Sequence, residues 1–329
     1  MTEDRKKDMV MGCFVGLAVG DAYGTTYEFK NRAQMPSEET LHNSLVGGGP
    51  FNLNPGDWTD DTSMALCLAE SIIEKGWHPR DKMKRYINWW QTGYNSVKGE
   101  CFDIGSATRN ALGWFNMTQG REFIKDTDAS GNGVLMRLAP IPMMLHGEIN
   151  AILATCTEES THTHPSPQSI ETSMLMGAII DKILSGERDK RIILNFNTLL
   201  DENAKDYFNQ ISAKYGCGKN EKINQIKGVL YANSPDSVIS GDGYCVYSLE
   251  AALWAFINTD SFVSGLKKVV ALGSDTDTTG AIYGQIAGAY YGLSAIPWRD
   301  KLTWSDKIHN LAEQLYEQNK ERRNGLTTN

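Results

Sequence analysis

The residues best suited to chemistry lie in Gly56-Asp57-Trp58-Thr59-Asp60-Asp61-Thr62, where two adjacent carboxylates sit between threonines. An apolar pattern follows at once. Ala65, Leu68, Ala69, Ile72 and Ile73 recur with helical spacing, Gly76 closes the run and Pro79 follows it. Thr59-Asp60-Asp61 therefore stands at a helix N-terminus. Thr and Asp are good N-caps, but one cap needs one such residue, and here four stand in a row. Successive residues inside a helix point about 100° apart, so two short carboxylates converge far more readily from an irregular N-terminal turn. Hard divalent cations take such oxygen ligands. A second stretch, Gly273-Ser274-Asp275-Thr276-Asp277-Thr278-Thr279-Gly280, repeats the arrangement ahead of another helix. Either stretch alone reads as a cap or a solvated turn. The two together read as one metal centre assembled from opposite ends of the chain.

The elements that must position them carry a signature of their own. Glycines recur every four residues at Gly12, Gly16, Gly20 and Gly24, and again at Gly280, Gly284, Gly288 and Gly292. Each interior glycine costs a helix about 1 kcal/mol against alanine. Two such ridges make sense where backbones approach closely, so the two helices are expected deep in one core, against each other. The first ends in Gly20-Asp21-Ala22-Tyr23-Gly24-Thr25-Thr26-Tyr27-Glu28-Phe29, which delivers Glu28.

Residues 30–56 are rich in Gly, Pro, Asn and Ser and predict a long loop, a length that is usually functional or disordered. Helical spacing returns over about 81–94, 104–116, 149–160, 166–185, 190–212, 220–232, 246–257 and 302–322. Between these stand Cys101-Phe102-Asp103-Ile104-Gly105 and Ser130-Gly131-Asn132-Gly133-Val134-Leu135-Met136-Arg137, a glycine-rich turn that opens an apolar helix and could present N–H groups to an anion. Thr161-His162-Thr163-His164-Pro165 has a histidine pair that could bind zinc, but no third nitrogen or sulfur ligand has suitable spacing, so structural or substrate-contact roles stand above zinc. Strand-like alternation is almost absent and no composition break marks a boundary. The expectation is an all-α fold, a single compact multi-helix domain over residues 1–329, with 1–8 and 323–329 flexible.

The chain has 329 residues, with 41% apolar and 22% charged residues, as in a soluble globular protein. Its net charge of −8 argues against a nucleic-acid partner. Six scattered cysteines without a C-x-x-C pair point to reduced thiols and a cytoplasmic setting. The apolar run from Met9 to Val19 follows Arg5-Lys6-Lys7. It is far short of the ~20 residues of a membrane span and no small-residue cleavage site follows it.

With these residues in view the chain resembles the ADP-ribosylglycohydrolases, of the dinitrogenase reductase-activating type. The likeness runs from about Met11 to about Tyr291. It rests on the G-x-x-x-G-D-A-x-G-x-x-x-E segment ending at Glu28, on G-D-W-T-D-D-T-x-M at 56–64 and on C-F-D-I-G at 101–105. G-N-G-x-x-M-R at 131–137, T-H-x-H-P at 161–165 and G-S-D-T-D-T at 273–278 complete it. The resemblance implies an all-α fold holding two Mg²⁺ or Mn²⁺ ions, with Thr59, Asp60, Asp61, Asp275, Asp277 and Thr278 as ligands. It implies cleavage of the bond joining ADP-ribose to a protein side chain, arginine first, by a metal-activated water. Glu28, Asp61 and Asp103 are then the catalytic carboxylates. Glu28 orients or deprotonates the water, and Asp103 stands near the ribose or the departing group. Gly131, Asn132, Gly133 and His162 are candidate substrate contacts, against the plainer readings of a turn and a satisfied polar residue. Tyr244 either packs on the leaving side chain or is a core tyrosine. Charge supports a cationic centre independently: Glu28, Asp60, Asp61, Asp275 and Asp277 outnumber the positive charges of two divalent ions by one. The expected partners are ADP-ribose and a mono-ADP-ribosylated protein, with no membrane. The competing readings are a non-catalytic ADP-ribose binder or structural protein of the same fold, and a hydrolase of a small ADP-ribose derivative.

Overall fold

The computed structural model describes residues 1–125 and 128–327. In chain order its α-helices are α1 (Glu3–Gly24), α2 (Asp60–Lys75), α3 (Pro79–Thr92), α4 (Ser106–Met117), α5 (Pro140–Met144), α6 (Ile149–Thr163), α7 (Pro167–Leu184) and α8 (Lys190–Leu194). There follow α9 (Phe196–Leu199), α10 (Glu202–Tyr215), α11 (Glu221–Lys227), α12 (Cys245–Ile257), α13 (Phe262–Val270), α14 (Thr276–Tyr291) and α15 (Ser305–Thr327). Among the described residues, extended pairing is confined to two isolated bridges, Gly48 with Leu53 and Gly131 with Tyr244. The fold is all-α and one compact domain, as expected from the near absence of period-two alternation. No described helix is long and apolar enough to cross a membrane.

The centre of the molecule is the pair α1 and α14. Every residue of α1 from Met9 to Gly24 is buried, and so is α14 from Thr276 to Ala289. A helix apolar on all sides belongs in a core. The two run antiparallel with their glycine ladders face to face. A Cβ on Gly16 would stand 2.2 Å from the Gly284 carbonyl oxygen, and one on Gly20 would stand 2.0 Å from that of Gly280. No side chain fits between them. This contact sets the C-terminal end of α1 beside the N-terminal end of α14, so the chain just after Gly24 meets the second acidic motif.

Several boundaries differ from the sequence reading, each for a local reason. The first helix already begins at Glu3, with the Thr2 hydroxyl accepting the Arg5 N–H. Arg5 then reaches the Tyr290 and Tyr291 carbonyls, which ties the charged first turn to the end of α14. The periodic stretch 190–212 breaks into three helices because Asn195 and Asp201 each cap a new one, accepting from Asn197 N–H and Ala204 N–H. The run expected after Gly133 is only a 3₁₀ turn over Leu135–Arg137 before α5. The sequence reading contained no helix at α13, which starts at a reciprocal Ser261–Ser264 cap.

Candidate metal centre

The N-termini of α2 and α14 meet beside the end of α1. At the N-cap positions themselves the acidic motifs leave their helices uncapped: the Thr59 and Asp275 side chains make no cap hydrogen bond. For α2 the cap comes from elsewhere. The Asp21 carboxylate accepts the Thr59 N–H and hydroxyl, both at 2.9 Å, and the Thr62 N–H at 3.0 Å and hydroxyl at 2.6 Å. Asp60 and Asp61 are thereby released to face α14. There the Thr278 hydroxyl donates to Asp61 Oδ1 at 3.3 Å, and the Thr59 hydroxyl lies 3.4 Å from Asp277 Oδ2. Asp277 Oδ1 accepts the Thr278 N–H.

Glu28 and Asp103 approach the same point on loops. Carboxylate oxygens of Glu28, Asp103 and Asp277 lie within 4.8 Å of one another. Their backbones are held in unusual conformations. Phe29, Asp103 and Ser274 all adopt positive φ, at 62°, 61° and 69°, a state that costs a non-glycine residue free energy and concentrates at functional sites. Phe29 N–H bonds to the Ser274 carbonyl and Ser274 N–H to the Lys30 carbonyl, which staples the Glu28 loop onto the second acidic motif. Asp275 is fixed differently: its Oδ2 accepts from Asn132 Nδ2 at 2.8 Å.

Burial and mutual repulsion dominate the electrostatics. Burial, then the charge of Asp103, pushes Glu28 up to about 9. Burial, then Asp275, pushes Asp103 up to about 7. Asp60, Asp61 and Asp277 are driven well above the usual carboxylate range, again by burial first and neighbouring carboxylates second. Two buried oxygens, Glu28 Oε2 and Asp61 Oδ2, have no hydrogen-bond partner. Orphaned acceptors in an acidic, oxygen-only cluster are what a hard divalent cation would satisfy, so the residues fit such an ion. The cluster forms the floor of a cavity of about 560 Å³, lined also by Gly131, Asn132, Gly133 and His164.

Most of the site residues expected from sequence come together here. Glu28, Asp60, Asp103, Asp275 and Thr278 line the cavity, while Thr59, Asp61 and Asp277 lie in the buried layer beneath. Asn132 lines it too, but its donors are spent on protein: its N–H on the Gly243 carbonyl, its Nδ2 on Ser248 Oγ and Asp275. Two residues stand elsewhere. His162 is not part of the cavity lining; its ring packs against Phe123 at 4.0 Å and Trp77 at 6.3 Å. Tyr244 is not part of the lining; its ring packs on Tyr247 and its hydroxyl accepts from Asn220 Nδ2, while its neighbour Gly243 faces the cavity. A Cβ on Gly243 would stand 2.8 Å from Asp275 Oδ2, so a larger residue there would shift that carboxylate. Asp21 has no role legible from its motif alone, whereas His164, one of a histidine pair expected in a structural or substrate-contact role, is the member of the pair that lines the cavity.

Fold and site together define an all-helical protein with a buried acidic cluster, able to hold a metal ion, at the floor of a polar cavity. The chain is also similar to known proteins. The family model for ADP-ribosylglycohydrolase matches residues 2–325. An ADP-ribosylarginine hydrolase, Tri1, of Serratia proteamaculans is 38% identical over 328 residues, covering 95% of this chain and 80% of its own. The glycohydrolase of ADP-ribosyl dinitrogen reductase from Rhodospirillum rubrum is 28% identical, covering 92% of both chains. A solved structure of an ADP-ribosylglycohydrolase-related protein complex superposes with a TM-score of 0.79 at 33% identity, over 96% of this chain and 99% of that one. The protein belongs to the ADP-ribosylglycohydrolase family.

Proposed function

We propose that this protein hydrolyses the glycosidic bond between ADP-ribose and a modified protein side chain, with arginine as the preferred linkage. The observation that carries the reading is the convergence of Glu28, Asp103 and Asp277 with two orphaned carboxylate oxygens at the floor of a cavity large enough for a nucleotide sugar. The similarity to two proteins named for acting on ADP-ribosylated substrates supplies the substrate class. Two divalent ions, Mg²⁺ or Mn²⁺, would be held by Thr59, Asp60, Asp61, Asp275, Asp277 and Thr278. Bound there, they would supply positive charge to the ribose oxygens and make a nearby water acidic.

The protein's own groups do the rest. Glu28, at the cavity edge of the cluster, takes the proton of the attacking water. Asp103, held by its left-handed backbone across from Glu28, hydrogen-bonds the ribose or the departing nitrogen. Positive charge develops at the anomeric carbon as the bond breaks, and the surrounding carboxylates stabilise it. The departing guanidine keeps the electrons of the broken bond, takes a proton that Glu28 gained from the water, and leaves as a guanidinium that the acidic cluster favours. The free thiols of all six cysteines fit a reducing, cytoplasmic setting.

The test is release of ADP-ribose from an arginine-modified protein in the presence of Mg²⁺ or Mn²⁺. Wild type should turn over, and Glu28→Gln should bind ADP-ribose yet lose about 10²–10⁴ in rate, the usual cost of a general base. Cleavage of a small ADP-ribose derivative with none of the modified protein would replace the substrate class. Wild-type rates in Glu28→Gln would remove that residue from the mechanism.

A further inference from the structure

Beneath the glycine turn lies a buried charged cluster that the proposed chemistry does not use. Arg137, Lys82 and Glu159 are essentially inaccessible to solvent. Arg137 Nε donates to Glu159 Oε1 at 2.9 Å, Lys82 pairs with Glu159 Oε2, and the Tyr86 hydroxyl donates to Glu159 Oε1 at 3.2 Å. Two basic groups buried around one carboxylate are costly, and replacing such groups by apolar ones is often neutral or stabilising. The guanidinium also points two donors toward the cavity wall: Nη1 to the Gly133 carbonyl at 2.6 Å and Nη2 to the Thr163 hydroxyl oxygen at 2.8 Å. Thr163 Oγ1 in turn lies 2.9 Å from His164 Nδ1. His164 lines the cavity, and its Nε2 edge covers the turn, 3.0 Å from where a Cβ of Gly133 would be.

We infer that Arg137, acting through Thr163, is a positioning residue that sets His164 in the neutral tautomer with its proton on Nε2, so that the cavity wall offers a hydrogen-bond donor to an oxygen of the ADP-ribose moiety. Arginine donates only, so Arg137 occupies a lone pair of Thr163 Oγ1. The buried Thr163 hydroxyl then has one proton to place, and His164 Nδ1 is the acceptor in reach. Were Nδ1 protonated instead, that hydroxyl proton would face only donors, which is costly in a buried site. Burial first, and the Arg137 charge second, also hold His164 down to about 3, so the imidazole is neutral at physiological pH. A neutral ring bonded at Nδ1 presents Nε2–H. Glu159 and Lys82 hold the guanidinium in register from behind.

The choice of ligand rests on the proposed function; the tautomer does not, and the two are tested separately. A long-range ¹H–¹⁵N spectrum of wild-type protein, with His164 assigned by its loss in His164→Asn, should show Nε2–H and bare Nδ1 from about pH 6 to about pH 8. An Nδ1–H tautomer or an imidazolium in that range overturns the inference. Thr163→Val removes the relay hydroxyl at nearly constant shape, and Thr163→Ser keeps it. Isothermal titration with ADP-ribose should show about tenfold weaker binding for Val, the worth of one hydrogen bond, with Ser near wild type and kcat changed much less than KM. Equal affinity in Val and wild type overturns the positioning role. Failure of wild type itself to bind ADP-ribose would count against the proposed function and leave the tautomer result standing.

Discussion

Asp21 and Thr59 are joined twice, the Asp21 carboxylate accepting both the backbone N–H and the hydroxyl of Thr59 at 2.9 Å. A residue of the first helix thus caps the second from outside. The cap frees the side chains that a helix N-terminus would otherwise consume, and it ties the position of the first acidic motif to the glycine-ladder contact. Asp21→Asn keeps the size but replaces an acceptor by an NH₂ facing other donors. It should lower stability by about 1–3 kcal/mol and weaken Mn²⁺ binding, although Asp21 is not among the proposed ligands. Thermal melts and a metal titration check this; a lowered melting temperature with unchanged metal affinity would make Asp21 a cap and nothing more.

The ladder contact is tested by Gly16→Ala. On an isolated helix this change stabilises by about 1 kcal/mol. Here the new Cβ would stand 2.2 Å from the Gly284 carbonyl oxygen, with only backbone around it. Overpacking of this kind costs about 1–3 kcal/mol or more, so the melting temperature should fall. Gly113→Ala, on a face of α4 with nothing within 4 Å, is the control and should not fall.

Metal-free protein should become less stable as pH rises. The carboxyls of Asp103 and Glu28 are raised to about 7 and about 9, and those of Asp60, Asp61 and Asp277 are likewise raised well above their ordinary range. A carboxyl with a raised folded-state pKa binds more protons folded than unfolded, so the slope of stability against pH is negative from about pH 4 up to the folded pKa. With chelator present, the melting temperature should decline from about pH 5 to about pH 9. Added Mn²⁺ should stabilise more at the alkaline end, where the carboxylates are free to bind. A melting temperature that rises with pH in chelator would contradict the acidic cluster's electrostatics.

The two halves of the centre should act as one. Asp60→Asn and Asp277→Asn should each abolish most turnover and weaken Mg²⁺ or Mn²⁺ binding. The double variant should be scarcely worse than either single one, since residues of one working unit are not additive. Simple multiplication of two modest losses would refute a shared dinuclear site.

Much of this was legible in the residues themselves. Helix positions follow from apolar spacing and caps, which act within a turn or two of chain, and the all-α class follows from their number. The facing glycine ladders were legible because bare backbone on both helices has few other uses. Both acidic motifs were legible because they carry more oxygen ligands than a cap requires. What the sequence left open depends on direction in space. His162 and His164 are two residues apart at the end of α6, so they point to nearly opposite sides. Only the packing of α6 shows that His164 faces the cavity and His162 the Phe123 and Trp77 rings. Asn132 looked like part of an anion-binding turn, and tertiary contacts with Ser248 and Asp275 take its side-chain donors instead. Asp61 and Thr278 stand 217 positions apart yet within hydrogen-bond reach. Local propensity determines that each begins a helix. Their meeting is decided by the close antiparallel contact of α1 with α14 and by the cap Asp21 sets on α2, because only burial of the whole core holds those helix ends together against carboxylate repulsion.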